Sequence, residues 1–113
     1  MKLQQLKEII NGTVILENNP NQDIAHVFST DLMSDALALV DGGEDTIILT
    51  GLCNMQTLRT AEMLDINAII FVRDKKPDEE MVTLAKRLNF TLYSTSMTMY
   101  ETCGLLFKAG LKP

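Results

Sequence analysis

No stretch of this sequence stays apolar for long. The uninterrupted runs reach only five residues, as in Ala68–Val72, against the roughly 20 that a bilayer-spanning helix needs. The amino-terminal segment MKLQQLKEII has no extended apolar region and no small-residue cleavage site, so it does not read as a signal peptide. Basic residues are in the minority, with 10 Lys and Arg against 15 Asp and Glu and a formal net charge of −5. Phosphate neutralisation requires a basic face, and an anionic membrane surface makes the same demand, so neither nucleic acid nor membrane is an expected partner. Histidine occurs once, as His26, and cysteine twice, as Cys53 and Cys103, far apart and in no CxxC pair. This is no zinc pattern, and reduced thiols fit a cytoplasmic protein. Gly51 and the pair Gly42-Gly43 build neither a GxxxxGK[ST] nor a GxGxxG loop. ATP hydrolysis and dinucleotide-dependent dehydrogenation therefore have no support. No cofactor and no metal is expected.

What is present suffices for one core. Of 113 residues, 46% are hydrophobic, which suits a single domain over residues 1–113. No repeat or linker interrupts it, and the Asn/Pro-rich segment 17–22 reads as a loop. Leu3, Leu6, Ile9 and Ile10 recur at helical spacing, and Asn11-Gly12 stops that helix. Strands are expected at Thr13–Leu16 and Ile24–Phe28. A helix from about Leu32 to Val40 follows, capped by Asp31, with Met33, Ala36, Leu37 and Val40 buried and Asp41-Gly42-Gly43 ending it.

The pattern then becomes regular. Thr46–Thr50 and Asn67–Val72 are continuous apolar strands, the mark of strands covered on both faces. Asn54 caps a helix reaching Leu64. Pro77 sits in the first turn of a helix running to about Leu88, with Asp78, Glu79 and Glu80 at its positive end. Phe90–Tyr93 is a third buried strand. Thr98 and Glu101 form a capping box for the last helix, which Gly110 ends. Met33, Met81 and Met99 fall on apolar stripes. Alternating strands and helices with short connections predict an α/β fold with a mostly parallel sheet and helices on both faces.

In such sheets ligands sit beyond the carboxyl ends of the strands. Those ends carry Asp31, Ser34 and Asp35; Thr50, Cys53 and Asn54; Arg73, Asp74, Lys75 and Lys76; and Ser94, Thr95, Ser96 and Thr98. Hydroxyls and helix-start amides together suit a small anion or a nucleotide, although the same residue types are ordinary helix caps. The expected ligand rim is Thr50, Asn54, Ser94, Thr95 and Thr98, with Asp31 and Ser34 at its edge. The opposite end of the sheet is expected around Asn11, Asp65 and Asn89. The serines have no assignable base, because His26 falls mid-strand. Cys53 precedes a helix start, where a thiolate gains stability. Asp31 and Asp35 stand four apart, a spacing that could hold a magnesium ion, but a helix cap plus a solvated acid is the expected reading of the pair. No residue is assigned a catalytic role.

Five stretches resemble the DRTGG-domain family: Asp31–Asp35, Leu49–Asn54, Ile69–Val72 with Lys76-Pro77-Asp78, Leu92–Thr95, and Met99–Thr102. The resemblance runs from about Leu3 to Leu111. The pentapeptide that gives the family its name does not occur. The family's fold resembles the N-terminal domain of HPr kinase/phosphorylase, and such domains accompany catalytic or nucleotide-sensing domains. The resemblance implies a regulatory or dimerising module without catalytic residues of its own.

Three readings follow. The first is a non-enzymatic, small-ligand-binding regulatory module that forms a homodimer. The second is a small enzyme or phosphotransfer accessory using Cys53 or the hydroxyl rim. The third is a scaffold for a metabolic enzyme. The homodimer expectation rests on the last helix, where Met99, Tyr100, Cys103, Leu106, Phe107 and Leu111 span an arc of about 140°, wider than a surface helix requires.

Overall fold

Three strands of the chain are buried on both faces, and the architecture follows from that. The computed structural model describes residues 1–113. Its elements, in chain order, are α1 (Leu3–Ile9), β1 (Thr13–Leu16), β2 (His26–Ser29), α2 (Met33–Leu39), β3 (Thr46–Thr50), α3 (Met55–Met63), β4 (Ala68–Phe71), α4 (Glu79–Arg87), β5 (Thr91–Ser94) and α5 (Met99–Lys108). Every residue of β3, β4 and β5 is buried, as the apolar centres of β3 and β4 lead one to expect. They form the middle of one five-stranded sheet of order β1-β5-β4-β3-β2. Strands β2 to β5 are parallel, while β1 runs antiparallel to β5.

Each step from β2 to β5 moves one strand in the same direction across the sheet. Right-handed crossovers then place α2, α3 and α4 on one face. The two halves of the core agree. Met33, Leu58, Ala61, Met81 and Leu84 of these helices pack on Ile48, Ile69, Phe71 and Leu92. On the other face Leu3 and Leu6 of α1 and Leu106 of α5 pack on Ile47, Leu49, Ile70 and Tyr93. The period-2 alternation of each strand thus feeds both faces. No helix is long and apolar enough to cross a membrane.

The helix ends explain where the chain turns back. After α1, α3 and α4, residues Asn11, Asp65 and Asn89 adopt φ of 51°, 56° and 60°. These are the short polar side chains that tolerate the left-handed region. Gly110 does the same after α5, at φ 107°. Each is followed by an N–H that reaches back to the helix's last-turn carbonyl: Gly12 to Lys7 (2.8 Å), Ile66 to Ala61 (2.9 Å), Phe90 to Ala85 (2.9 Å) and Leu111 to Leu106 (3.2 Å).

Four expectations change. Leu37 is 43% exposed rather than buried, because the short α2 turns only Met33 and Ala36 into the core. Pro77 stands outside α4, one residue ahead of the cap Asp78, whose carboxylate accepts the Met81 N–H at 2.9 Å. Asp31 is not the cap of α2: that position is Leu32, with no side-chain cap. Finally, because β1 is antiparallel, its first residue Thr13 lies beside Ser94. Asn11 therefore stands at the carboxyl end of the parallel strands, not at the opposite end with Asp65 and Asn89. The edge strand β2 is half covered by the chain terminus, where the Val27 N–H donates to the Lys112 carbonyl and the Lys112 N–H to that of Ala25.

Candidate functional site

The carboxyl ends of β2 to β5 stand side by side, with Ser29 paired to Leu49, Thr50 to Phe71, and Phe71 to Ser94. Residues distant in sequence meet there. Asp31 follows β2 and reaches across β3. Its Oδ1 accepts the Gly51 N–H at 2.7 Å and the Thr50 hydroxyl at 3.3 Å, and its Oδ2 accepts from Arg73 Nη2 at 3.0 Å. Three successive strand ends are joined by this one carboxylate. Partial burial acts to raise the Asp31 pKa, but the hydrogen bonds from Gly51 and Arg73 prevail and hold it below the ordinary carboxylate value.

The guanidinium lies directly against the backbone of Gly51. A Cβ at that residue would fall 1.8 Å from Arg73 Nη2, so glycine is the residue that permits the approach. Arg73 and Asp74 have φ of 57° and 59°, two consecutive non-glycine residues in the left-handed region. Each such residue costs about 1–3 kcal/mol. The turn is held by the Arg73 N–H donating to the Met97 carbonyl and the Asp74 N–H to that of Thr95, both at 2.8 Å. Lys76 pairs with Asp74 at 2.9 Å, and Lys75 is exposed beside them.

The expected rim residues divide by their own hydrogen bonds. Thr50, Ser94 and Thr95 are buried. Thr50 Oγ1 also accepts the Leu52 N–H at 3.0 Å; Ser94 donates to the Lys75 carbonyl at 2.9 Å, and Thr95 to the Ile10 carbonyl at 2.7 Å. These hydroxyls tie the rim together. Asn54 and Thr98 are exposed caps, accepting the Thr57 N–H at 3.1 Å and the Glu101 N–H at 3.2 Å. The Thr98 N–H and hydroxyl hold the Glu101 carboxyl below its ordinary pKa. Ser34 is exposed on the first turn of α2. Arg73 was not among the expected ligand residues, although its position at a strand end was legible. The missing signal was its pairing with Gly51 and Asp31, 22 and 42 residues earlier.

Cys53 does not carry the electrostatics of a nucleophile. Burial and the Asp78 carboxylate push its thiol pKa up, against a smaller opposing effect of Lys75. His26 opens β2 at the other end of the sheet from Ser94, and its ring meets the Pro113 carbonyl at 3.2 Å. A separate apolar groove of about 230 Å³ lies between β2 and α5, lined by Val27, Cys103, Leu106, Phe107 and Leu111.

No family model matches this sequence, and no curated protein matches it. Among solved structures, the CBS and DRTGG domains of the regulatory region of Clostridium perfringens pyrophosphatase, complexed with the activator diadenosine tetraphosphate, superpose on it with a TM-score of 0.73 at 15% sequence identity. The match covers 93% of this chain and 45% of the other, so the chain spans less than half the length of that structure. The likeness is one of fold, an α/β domain around a five-stranded, mostly parallel sheet.

Proposed function

We propose that this protein is a non-enzymatic regulatory module of DRTGG-domain type, cytoplasmic, which binds a small anionic or nucleotide ligand at the carboxyl-end rim of its parallel strands. The observation that carries this reading is the convergence of Asp31, Thr50, Gly51 and Arg73 from three strand ends, with Lys75 beside them and the caps Asn54 and Thr98 along the same edge. A guanidinium, a backbone amide and helix starts form the chemistry that recognises phosphate or carboxylate groups. The fold neighbour supports it, as a regulatory region complexed with a nucleotide activator. The raised Cys53 pKa and the internally engaged rim hydroxyls count against the phosphotransfer or enzymatic alternative.

A thermal-shift screen with AMP, ADP, acetyl phosphate and citrate tests the reading. A ligand at about 100 times its dissociation constant stabilises the fold by about 2.7 kcal/mol. A shift with at least one compound is expected. Unchanged melting with all four overturns ligand binding and leaves the scaffold for a metabolic enzyme standing.

The module is further proposed to act as a homodimer. Phe107 and Tyr100 on α5 remain 70% and 89% exposed, although Leu106 of the same helix is buried against α1. Light scattering showing a dimer that Phe107→Glu dissociates, with the fold intact, supports this; a monomer at tens of micromolar, roughly the range of transient interfaces, overturns it.

A further inference from the structure

We propose that the Asp31 carboxylate is a built-in stand-in for the ligand: it occupies an anion site made by Gly51, Thr50 and Arg73, and a phosphate or carboxylate group of the ligand takes its place. The inference deepens the reading above and rests on it. Three donors of different kinds converge on one carboxylate: a backbone amide at 2.7 Å, a guanidinium nitrogen at 3.0 Å and a hydroxyl at 3.3 Å. That is the donor set by which proteins hold an oxyanion.

The two donors at the end of β3 are positioned independently of Asp31, and the third is carried on a backbone turn that is, although the Arg73 guanidinium itself has Asp31 as its side-chain partner. Thr50 is fully buried in β3, and its oxygen is oriented by the Leu52 N–H. Arg73 sits on the left-handed turn pinned to Met97 and Thr95. Gly51 carries no Cβ to keep the guanidinium away. The acceptor, by contrast, is loosely placed. Asp31 lies in the short connection between β2 and α2, does not cap the helix, and its own backbone makes no hydrogen bond to the rest of the backbone. Its side chain is 48% exposed. Rotation of that side chain into solvent therefore disturbs no secondary structure and opens a preorganised seat.

The guanidinium has capacity to spare. Arg73 gives one N–H to Asp31 while its side chain is 40% exposed, and a guanidinium carries five such donors. A phosphate oxygen can replace Oδ1 on Gly51 while a second engages Arg73 in the forked geometry. Asp31 then acts as an internal competitor. If it fills the seat about 90% of the time, the apparent affinity of the ligand is lowered about tenfold.

The test is isothermal titration of inorganic phosphate, AMP and citrate into the wild-type protein and into Asp31→Ala, Asp31→Asn and Arg73→Gln, each first checked for cooperative melting. Phosphate and AMP separate a requirement for the nucleoside from phosphate alone, and citrate reports on carboxylate recognition. Removing the competitor is expected to tighten binding of at least one probe about tenfold, and Arg73→Gln to abolish it. Equal or weaker binding by both Asp31 variants overturns the proposal and makes Asp31 a staple between strands. Full affinity in Arg73→Gln overturns it as well, while ligand binding elsewhere on the rim would leave the regulatory reading intact. Failure of all three probes to bind either Asp31 variant also overturns it.

Discussion

Thr95 separates a hydroxyl that holds the rim together from one that meets a ligand. In Thr95→Val the branched shape is kept and one oxygen is lost. That oxygen donates to the Ile10 carbonyl at 2.7 Å and accepts the Met97 N–H at 3.3 Å. Thr95 is 2% exposed and Ile10 fully buried, so water does not replace the lost partner. Leaving a buried carbonyl unpaired costs about 1–3 kcal/mol. The unfolding entropy of 113 residues, at about 2.1 cal/mol/K each, converts a 2 kcal/mol loss into a fall in Tm of about 8 °C. Ser94→Ala provides the contrast. Its partner is the carbonyl of Lys75, an exposed residue, so solvent compensates and the loss is about 1 kcal/mol or less. Calorimetric melting of both variants is the assay. A Thr95→Val protein that melts within about 2 °C of wild type would refute the reasoning, since even the lower bound of the cost corresponds to about 4 °C.

Other outcomes follow from the same geometry. Gly51→Ala is expected to expel the guanidinium, whose Cζ would lie 2.4 Å from the new Cβ, yet to change stability by less than about 1 kcal/mol, because an exposed ion pair contributes little; melting together with the Arg73 side-chain NMR signal checks both. Asp31 has a folded pKa below its ordinary 3.8, so its contribution is full above that value and is lost as pH falls through the lower, folded one. Acid unfolding followed by circular dichroism should therefore be shallower in Asp31→Asn below that pH. Tyr93 is buried and donates to Glu17 Oε2 at 2.5 Å, and both effects raise its pKa above the ordinary 10.0. The stability that this neutral phenol contributes is full below 10 and is lost as pH rises from there toward the folded value, so alkaline melting of Tyr93→Phe is expected to depend less on pH. Purified protein is expected to show no ATP turnover that comigrates with it on size exclusion.

The buried strands were legible because coverage on both faces leaves Thr46–Thr50 and Ala68–Phe71 without alternation, and their β-branched residues set them apart from the equally unbroken Ala36–Val40 at α2. The capping box of Thr98 and Glu101 was legible for a similar reason: both partners lie within one turn. Asp31 was misread because an aspartate before a helix is normally its cap. Its actual partners, Gly51 and Arg73, are set by the lateral order of strand ends, which no local window contains. Asn11 was assigned to the wrong end because Thr13–Leu16 has the same pattern in either direction, and its antiparallel pairing is with β5, far away in the sequence. The role of Thr95 depends on a carbonyl 85 residues away.

Whether the strand-end rim receives the ligand is decided by an amide NMR map recorded while AMP is titrated into the wild-type protein. The expected result is a set of saturable shifts at Gly51, Asn54, Arg73 and Thr98, with the amides of Asp65 and Asn89 unmoved. Shifts confined to Asp65 and Asn89, at the opposite end of the parallel strands, would contradict it.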